Sequence, residues 1–143
     1  MKRILYASLL FLAPSCAWAQ TNVDFTRTED VIYGRKFGTA LTLDVLQPRP
    51  ANGAAIVAIV SGGWFSAHEA INPGLFRPML NRGYTVFAVV HGSQPKFVVT
   101  EIMQDIHRAV RFIRHNVGRY GVDANRFGVM GASAGGHLTL TMA

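Results

Sequence analysis

Three short apolar runs constrain the fold of this chain more than any other feature: Ala54–Val60, Tyr84–Val90 and Arg126–Met130. Runs of this length without polar alternation mark strands covered on both faces, as in a parallel sheet. Between them lie segments of helical character. Leu75–Asn81 reads as a short helix ending before Gly83. A longer helix is expected to start at a Thr100 cap and run to about Asn116, with Ile102, Ile106, Ala109, Val110, Ile113 and Val117 on its apolar stripe. Arg108, Arg111 and Arg114 fall off that stripe and read as a solvated face. Helical character resumes from Ala134. Such alternation implies a parallel sheet with helices on both faces.

The segment upstream has a different period. Leu41, Leu43 and Val45 alternate with Thr42 and Asp44, as in a strand with one buried face. Val31–Phe37 forms a second such run, and Gly38-Thr39 between the two suggests an antiparallel hairpin. Residues 48–53, P-R-P-A-N-G, form a loop. The expected class is α/β: an antiparallel hairpin leading into a mostly parallel sheet with helices on both faces. No internal repeat, low-complexity tract or linker divides the chain.

The first residues read as an export signal. Lys2-Arg3 is a positive start, Ile4–Ala13 is apolar but too short to span a bilayer, and Ala17-Trp18-Ala19 is a small-x-small cleavage site. Residues 1–19 are thus expected to be a signal peptide, giving a secreted or periplasmic protein that begins at Gln20. A lipoprotein signal acylated on Cys16 is the weaker alternative, because Ala13 and Pro14 suit it poorly. Cys16 is the sole cysteine, so the mature domain has no thiol chemistry. No second apolar run approaches membrane-spanning length. The net charge is +6, but setting aside Lys2 and Arg3 leaves 12 basic against 8 acidic residues. These are mostly scattered singly, with no basic run interleaved with aromatics, which argues against nucleic-acid binding.

The third apolar run leads straight into Gly131-Ala-Ser-Ala-Gly135, a G-x-S-x-G pattern between a strand and a helix. That pattern lifts a serine onto a sharp turn, where side chains larger than hydrogen at the flanking positions would collide with backbone. Ser133 is therefore the candidate nucleophile. The rival is a serine capping an ordinary glycine-rich turn. A serine hydroxyl needs a base to take its proton and amide donors to hold the developing oxyanion. Ser61-Gly62-Gly63-Trp64 follows the first apolar run, at the same sheet end as Ser133 if the strands are parallel. Gly62 and Gly63, with Ala134 beside the nucleophile, are the candidate oxyanion donors.

Together with Asp105, G121-V-D123, Arg126 and G131-A-S-A-G-G-H-L138, this loop resembles the α/β-hydrolase esterases. The likeness is to the lipase/esterase branch with an H-G-G-G-W loop, including the acetyl-xylan and feruloyl esterase-like (BD-FAE-like) proteins, and covers roughly Val31 to the end. It implies a serine hydrolase acting on small-molecule or polysaccharide carboxylic esters, with no metal and no organic cofactor. A serine peptidase of the prolyl-oligopeptidase type and a non-catalytic fragment are the alternatives.

The chain departs from the family pattern in three places. Val60 and Ser61 stand where the loop usually has His and its first Gly. His91-Gly92-Ser93 stands where such esterases commonly carry Tyr-Arg. After Ser133 there is no Asp or Glu, and the only histidine is His137, one helical turn on. It reads as a packing residue in the buried pattern of the elbow helix. His107 and His115 belong to a helix surface, His68 and His91 to loops bordering the site, and H68-E-A-I-N72 is not a zinc pattern. In this fold the acid and histidine follow the nucleophile. Residues 20–143 are accordingly expected to be a truncated hydrolase domain, inactive alone. Its strand Arg126–Met130 is then left as a sheet edge.

Overall fold

The structure, a computed structural model, describes residues 22–142. The segment read as an export signal, Cys16 included, lies outside the described residues. The chain runs β1 (Asp24–Lys36), β2 (Thr39–Arg49), β3 (Ala55–Ile59), a 3-10 turn (His68–Ala70), α1 (Pro73–Leu80), β4 (Thr85–Val89), α2 (Val99–His115), α3 (Val117–Tyr120), β5 (Phe127–Gly131) and α4 (Ala134–Leu140). The sheet order is β1-β2-β4-β3-β5. The β1/β2 and β2/β4 pairs are antiparallel, and β4/β3 and β3/β5 are parallel. This is the hairpin-plus-parallel architecture expected from the sequence.

The hairpin closes on Phe37 and Gly38, both at positive φ (44° and 74°). That pair makes a type I′ turn, whose twist matches that of the flanking strands. The polar face expected of the second strand is not solvated. Asp44 is fully buried, with Arg27, Asp30 and His68 gathered over its carboxylate. Its carboxylate accepts from Arg27 Nε at 2.7 Å and from the Asp30 amide at 3.1 Å.

Two cores form because the buried strands present alternate residues to opposite faces. Val57, Phe87 and Val89 pack under Ile102, Ile106, Ala109 and Ile113 of α2 and Leu138 of α4. Ala58, Val86 and Ala88 pack under Ile71 and under Phe76 and Leu80 of α1. Each large side chain buried this way contributes roughly 1.5–3 kcal/mol.

Helix boundaries depart from expectation where capping chemistry decides them. Helix α1 starts at Pro73, because the Asn72 side chain accepts from the Gly74 amide at 2.9 Å. Helix α2 is not capped by Thr100. Its cap position is Val98, whose amide donates to the Glu101 carboxylate at 3.0 Å. Valine offers no side-chain acceptor, so only the Glu half of a capping box is made. Arg111 and Arg114 are exposed as expected, while the half-buried Arg108 also donates to the Arg35 carbonyl at 3.1 Å and lies across Gly34. Strand β5 is not covered on both faces. Among the described residues it pairs with β3 alone, and Val129 is 47% exposed.

Candidate active site

The site is built at the carboxyl ends of β3 and β5, which run in register with Ile59 opposite Gly131. Strand β5 ends at Gly131 and α4 begins at Ala134, leaving Ser133 at the turn with φ 52° and ψ −123°. A side chain in that region costs on the order of 1–3 kcal/mol and is held only by strong surrounding constraints. Those constraints come from the two glycines. A Cβ on Gly131 would overlap the Gly135 carbonyl, and one on Gly135 would stand 2.7 Å from the Ile59 carbonyl oxygen. The absence of both lets the start of α4 press onto β3 and β5. Ser133 is exposed, and its side chain makes no capping bond to α4.

The Ala134 amide, at the first position of α4, has no acceptor within the helix. It is therefore a donor beside the Ser133 hydroxyl. The Ser61–Trp64 loop forms a tight turn against α4, with Ser61 near Gly135 and Trp64 against His137. Gly62 and Phe65 exchange amide-to-carbonyl bonds, both at 2.9 Å, and Gly63 and Trp64 between them have φ of 55° and 65°. The Gly62 donor is thus committed to the turn, and as an oxyanion donor it would have to leave Phe65. The Gly63 amide has no backbone acceptor among the described residues.

The turn is stitched to the segment after β4, a connection that sequence reasoning did not foresee. The Ser61 hydroxyl lies 2.8 Å from His91 Nε2, and His91 Nδ1 lies 2.7 Å from the Gly92 carbonyl. A carbonyl only accepts, so Nδ1 carries the proton and Nε2 accepts from Ser61. Burial pushes the His91 pKa down, against the opposing pull of the Gly92 carbonyl and the Asp105 charge. The ring is 3% exposed. Ser66 donates to the Val60 carbonyl and accepts from the His91 amide, and its own amide donates to Ser93 Oγ. The Gln94 amide donates to the Trp64 carbonyl at 3.2 Å.

Beneath this layer Asp105 accepts from the Gly92 amide at 3.1 Å and from Lys36 Nζ at 2.7 Å. The Tyr33 hydroxyl donates to the Val90 carbonyl at 2.8 Å. Burial and the Asp105 charge raise its pKa, holding it protonated.

The remaining histidines are placed as follows. His137 is exposed rather than buried, with its ring edge-on to Trp64 at 5.2 Å between centroids. Trp64 and His137 thereby join the Gly62–Phe65 turn to α4. His107 is half-buried and His115 exposed on α2. His68 Nδ1 lies 3.3 Å from Asp30 and 3.5 Å from Asp44. Glu29, Asp44 and His68 place ligand atoms within 4.8 Å of one another. Arg27 already pairs with Asp44 and Glu29 there, which offsets the negative charge a cation would need. A cavity of about 310 Å³ opens beside the elbow, lined by Ser61, Gly62, Phe65, Phe76, Met130 and Ala132.

The sequence pattern of the BD-FAE family matches residues 43–143. The chain is 33% identical over 110 residues to a probable isoprenylcysteine alpha-carbonyl methylesterase of Oryza sativa subsp. japonica, covering 76% of this chain and 26% of that protein. The chain thus spans about a quarter of the length of the first curated relatives it matches. Among solved structures, esterase B of Lactobacillus rhamnosis (HN001) superposes with a TM-score of 0.71 at 26% identity, covering 80% of this chain and 38% of that one. A truncated form of a carbohydrate esterase from gut microbiota superposes with a TM-score of 0.70 at 28% identity, covering 85% and 44%. Among the described residues, no helix is long and apolar enough to cross a membrane.

Proposed function

The chain belongs to the BD-FAE family of α/β-hydrolase esterases, and from that premise we propose that Ser133 is the nucleophile of a carboxylic ester hydrolase. The observation that carries the proposal is the elbow itself. Ser133 sits at positive φ with an uncapped, exposed side chain beside the Ala134 amide. In the reaction the Ser133 hydroxyl attacks the acyl carbonyl and gives up its proton to a histidine base. The carbonyl oxygen becomes an oxyanion held by the amides of Ala134 and Gly63, with Gly62 as a third donor if it leaves Phe65. One such donor is commonly worth about 2.7–4 kcal/mol of barrier. The alcohol departs with the proton, and water then releases the acid from the acyl-serine.

The acid and base are assigned to parts of the enzyme outside residues 22–142, since no carboxylate follows Ser133 here and His137 turns its ring to Trp64. Without them, residues 20–143 retain at most the residual catalysis that binding and an oxyanion hole give. The apolar cavity beside Ala132 suits a short acyl chain. Acyl groups on a polysaccharide are the proposed substrate class, supported by the likeness to a carbohydrate esterase. We assign the enzyme to the secreted or periplasmic space, with residues 1–19 removed. N-terminal sequencing of the exported protein tests that assignment by whether Gln20 comes first.

The activity is tested by hydrolysis of p-nitrophenyl acetate by the protein expressed from its full reading frame. Turnover lost in Ser133→Ala is expected. Turnover unchanged in that variant, or absent from the unaltered protein, sinks the reading.

A further inference from the structure

We propose that Ser61 and His91 are a positioning pair that holds the Gly62–Phe65 turn in place. This rests on the ester-hydrolase reading only for its catalytic consequence. Position 61 carries a hydroxyl at the start of a glycine turn, and position 91 carries an imidazole just past the end of β4. In space these two side chains meet: Ser61 Oγ is 2.8 Å from His91 Nε2. Each side chain supplies what the other lacks. A half-buried serine hydroxyl needs an acceptor, and a buried imidazole needs partners for both nitrogens. The Gly92 carbonyl fixes the proton on Nδ1, leaving Nε2 as an acceptor for the Ser61 hydroxyl.

The pair sits where it can control the turn. Ser61 immediately precedes Gly62, whose amide closes the turn onto Phe65. Its Cβ also lies 3.6 Å from the place a Cβ on Gly135 would occupy, so the serine is wedged between α4 and the ring of His91. His91 is anchored independently, through its amide to Ser66 and through Gly92 to Asp105 and Lys36. A buried partner with anchors of its own is what a positioning contact requires. In a glycine-rich loop, losing that contact removes one of the few bonds that fix where the turn begins.

The test reads amide hydrogen exchange and turnover separately. In Ser61→Ala and in His91→Asn the Gly62 amide is expected to exchange at least about fivefold faster, with the Phe87 amide of the sheet unchanged. Ser61→Thr, which keeps the hydroxyl, restores protection. The double variant exchanges no faster than either single, because both remove the same bond. In the protein from the full reading frame, Ser61→Ala lowers kcat for p-nitrophenyl acetate with KM unchanged, as loss of a transition-state contact does. Unchanged Gly62 exchange in both single variants, additive effects in the double, or no recovery in Ser61→Thr would overturn the pair. Coupled exchange with no Ser133-dependent turnover supports the pair and overturns the ester-hydrolase reading instead.

Discussion

Gly135 lies so close to Ile59 that a Cβ on it would stand 2.7 Å from the Ile59 carbonyl oxygen. That contact joins the Ser133 turn to β3, the strand that leads into the Ser61–Trp64 turn. Backbone cannot yield as a flexible side chain can. Gly135→Ala is therefore expected to destabilise the domain by about 1–3 kcal/mol, the usual cost of overpacking. Urea unfolding of the variant and the unaltered protein measures it, and an unchanged midpoint would show that α4 is free to move away from β3.

Ser133 occupies the cap position of α4 without capping it. A true N-cap serine loses about 0.5–2 kcal/mol on mutation to alanine. Ser133→Ala should change the unfolding free energy by less than about 0.5 kcal/mol, as a substitution without a named structural mechanism does. A loss near 1 kcal/mol would mean that the hydroxyl serves the helix.

Lys36 and Asp105 form a pair in which the carboxylate is 2% and the lysine side chain 12% exposed. Removing one partner of a buried pair typically costs about 3–5 kcal/mol. Lys36→Met should fall at or somewhat below that range, since Asp105 keeps the Gly92 amide. Thermal unfolding checks the magnitude.

Burial lowers the His91 pKa below its ordinary value. The unfolded chain therefore takes up a proton at this position before the folded one does as pH falls. The contribution of His91 to stability is full above about pH 6.5, the unfolded value, and declines as pH drops from there toward the folded pKa. The loss of stability between pH 7.5 and pH 5 should be smaller in His91→Gln than in the unaltered protein. An equal loss in both would place the acid sensitivity elsewhere.

These residues also show where the sequence was legible. The elbow could be read because its requirements are local: an apolar strand, two glycines around a serine, and a helix. The hairpin and the strand–helix order could be read from periodicity for the same reason. What escaped was set by neighbours distant in sequence. Alternation in β2 suggests a solvated Asp44, but Arg27, Asp30 and His68 close over its carboxylate. His91 reads as a loop histidine until Ser61, thirty residues away, is found at its Nε2. Glycine in the Ser61–Trp64 loop signals available amides, but that the Gly62 amide is spent on Phe65 is visible only in the turn's closed geometry. The apolar run of β5 reads as a strand covered on both faces, yet its place at the sheet edge, expected from the strand order, leaves Val129 47% exposed.

The central claim is that Ser133 performs the chemistry, and covalent capture tests it most directly. The protein from its full reading frame is treated with a p-nitrophenyl alkylphosphonate, digested, and the modified residue located by mass spectrometry. The account predicts one adduct per chain, on Ser133, absent in Ser133→Ala and formed at a reduced rate in Ser61→Ala. An adduct on another residue, or none under conditions where p-nitrophenyl acetate is turned over, would contradict it.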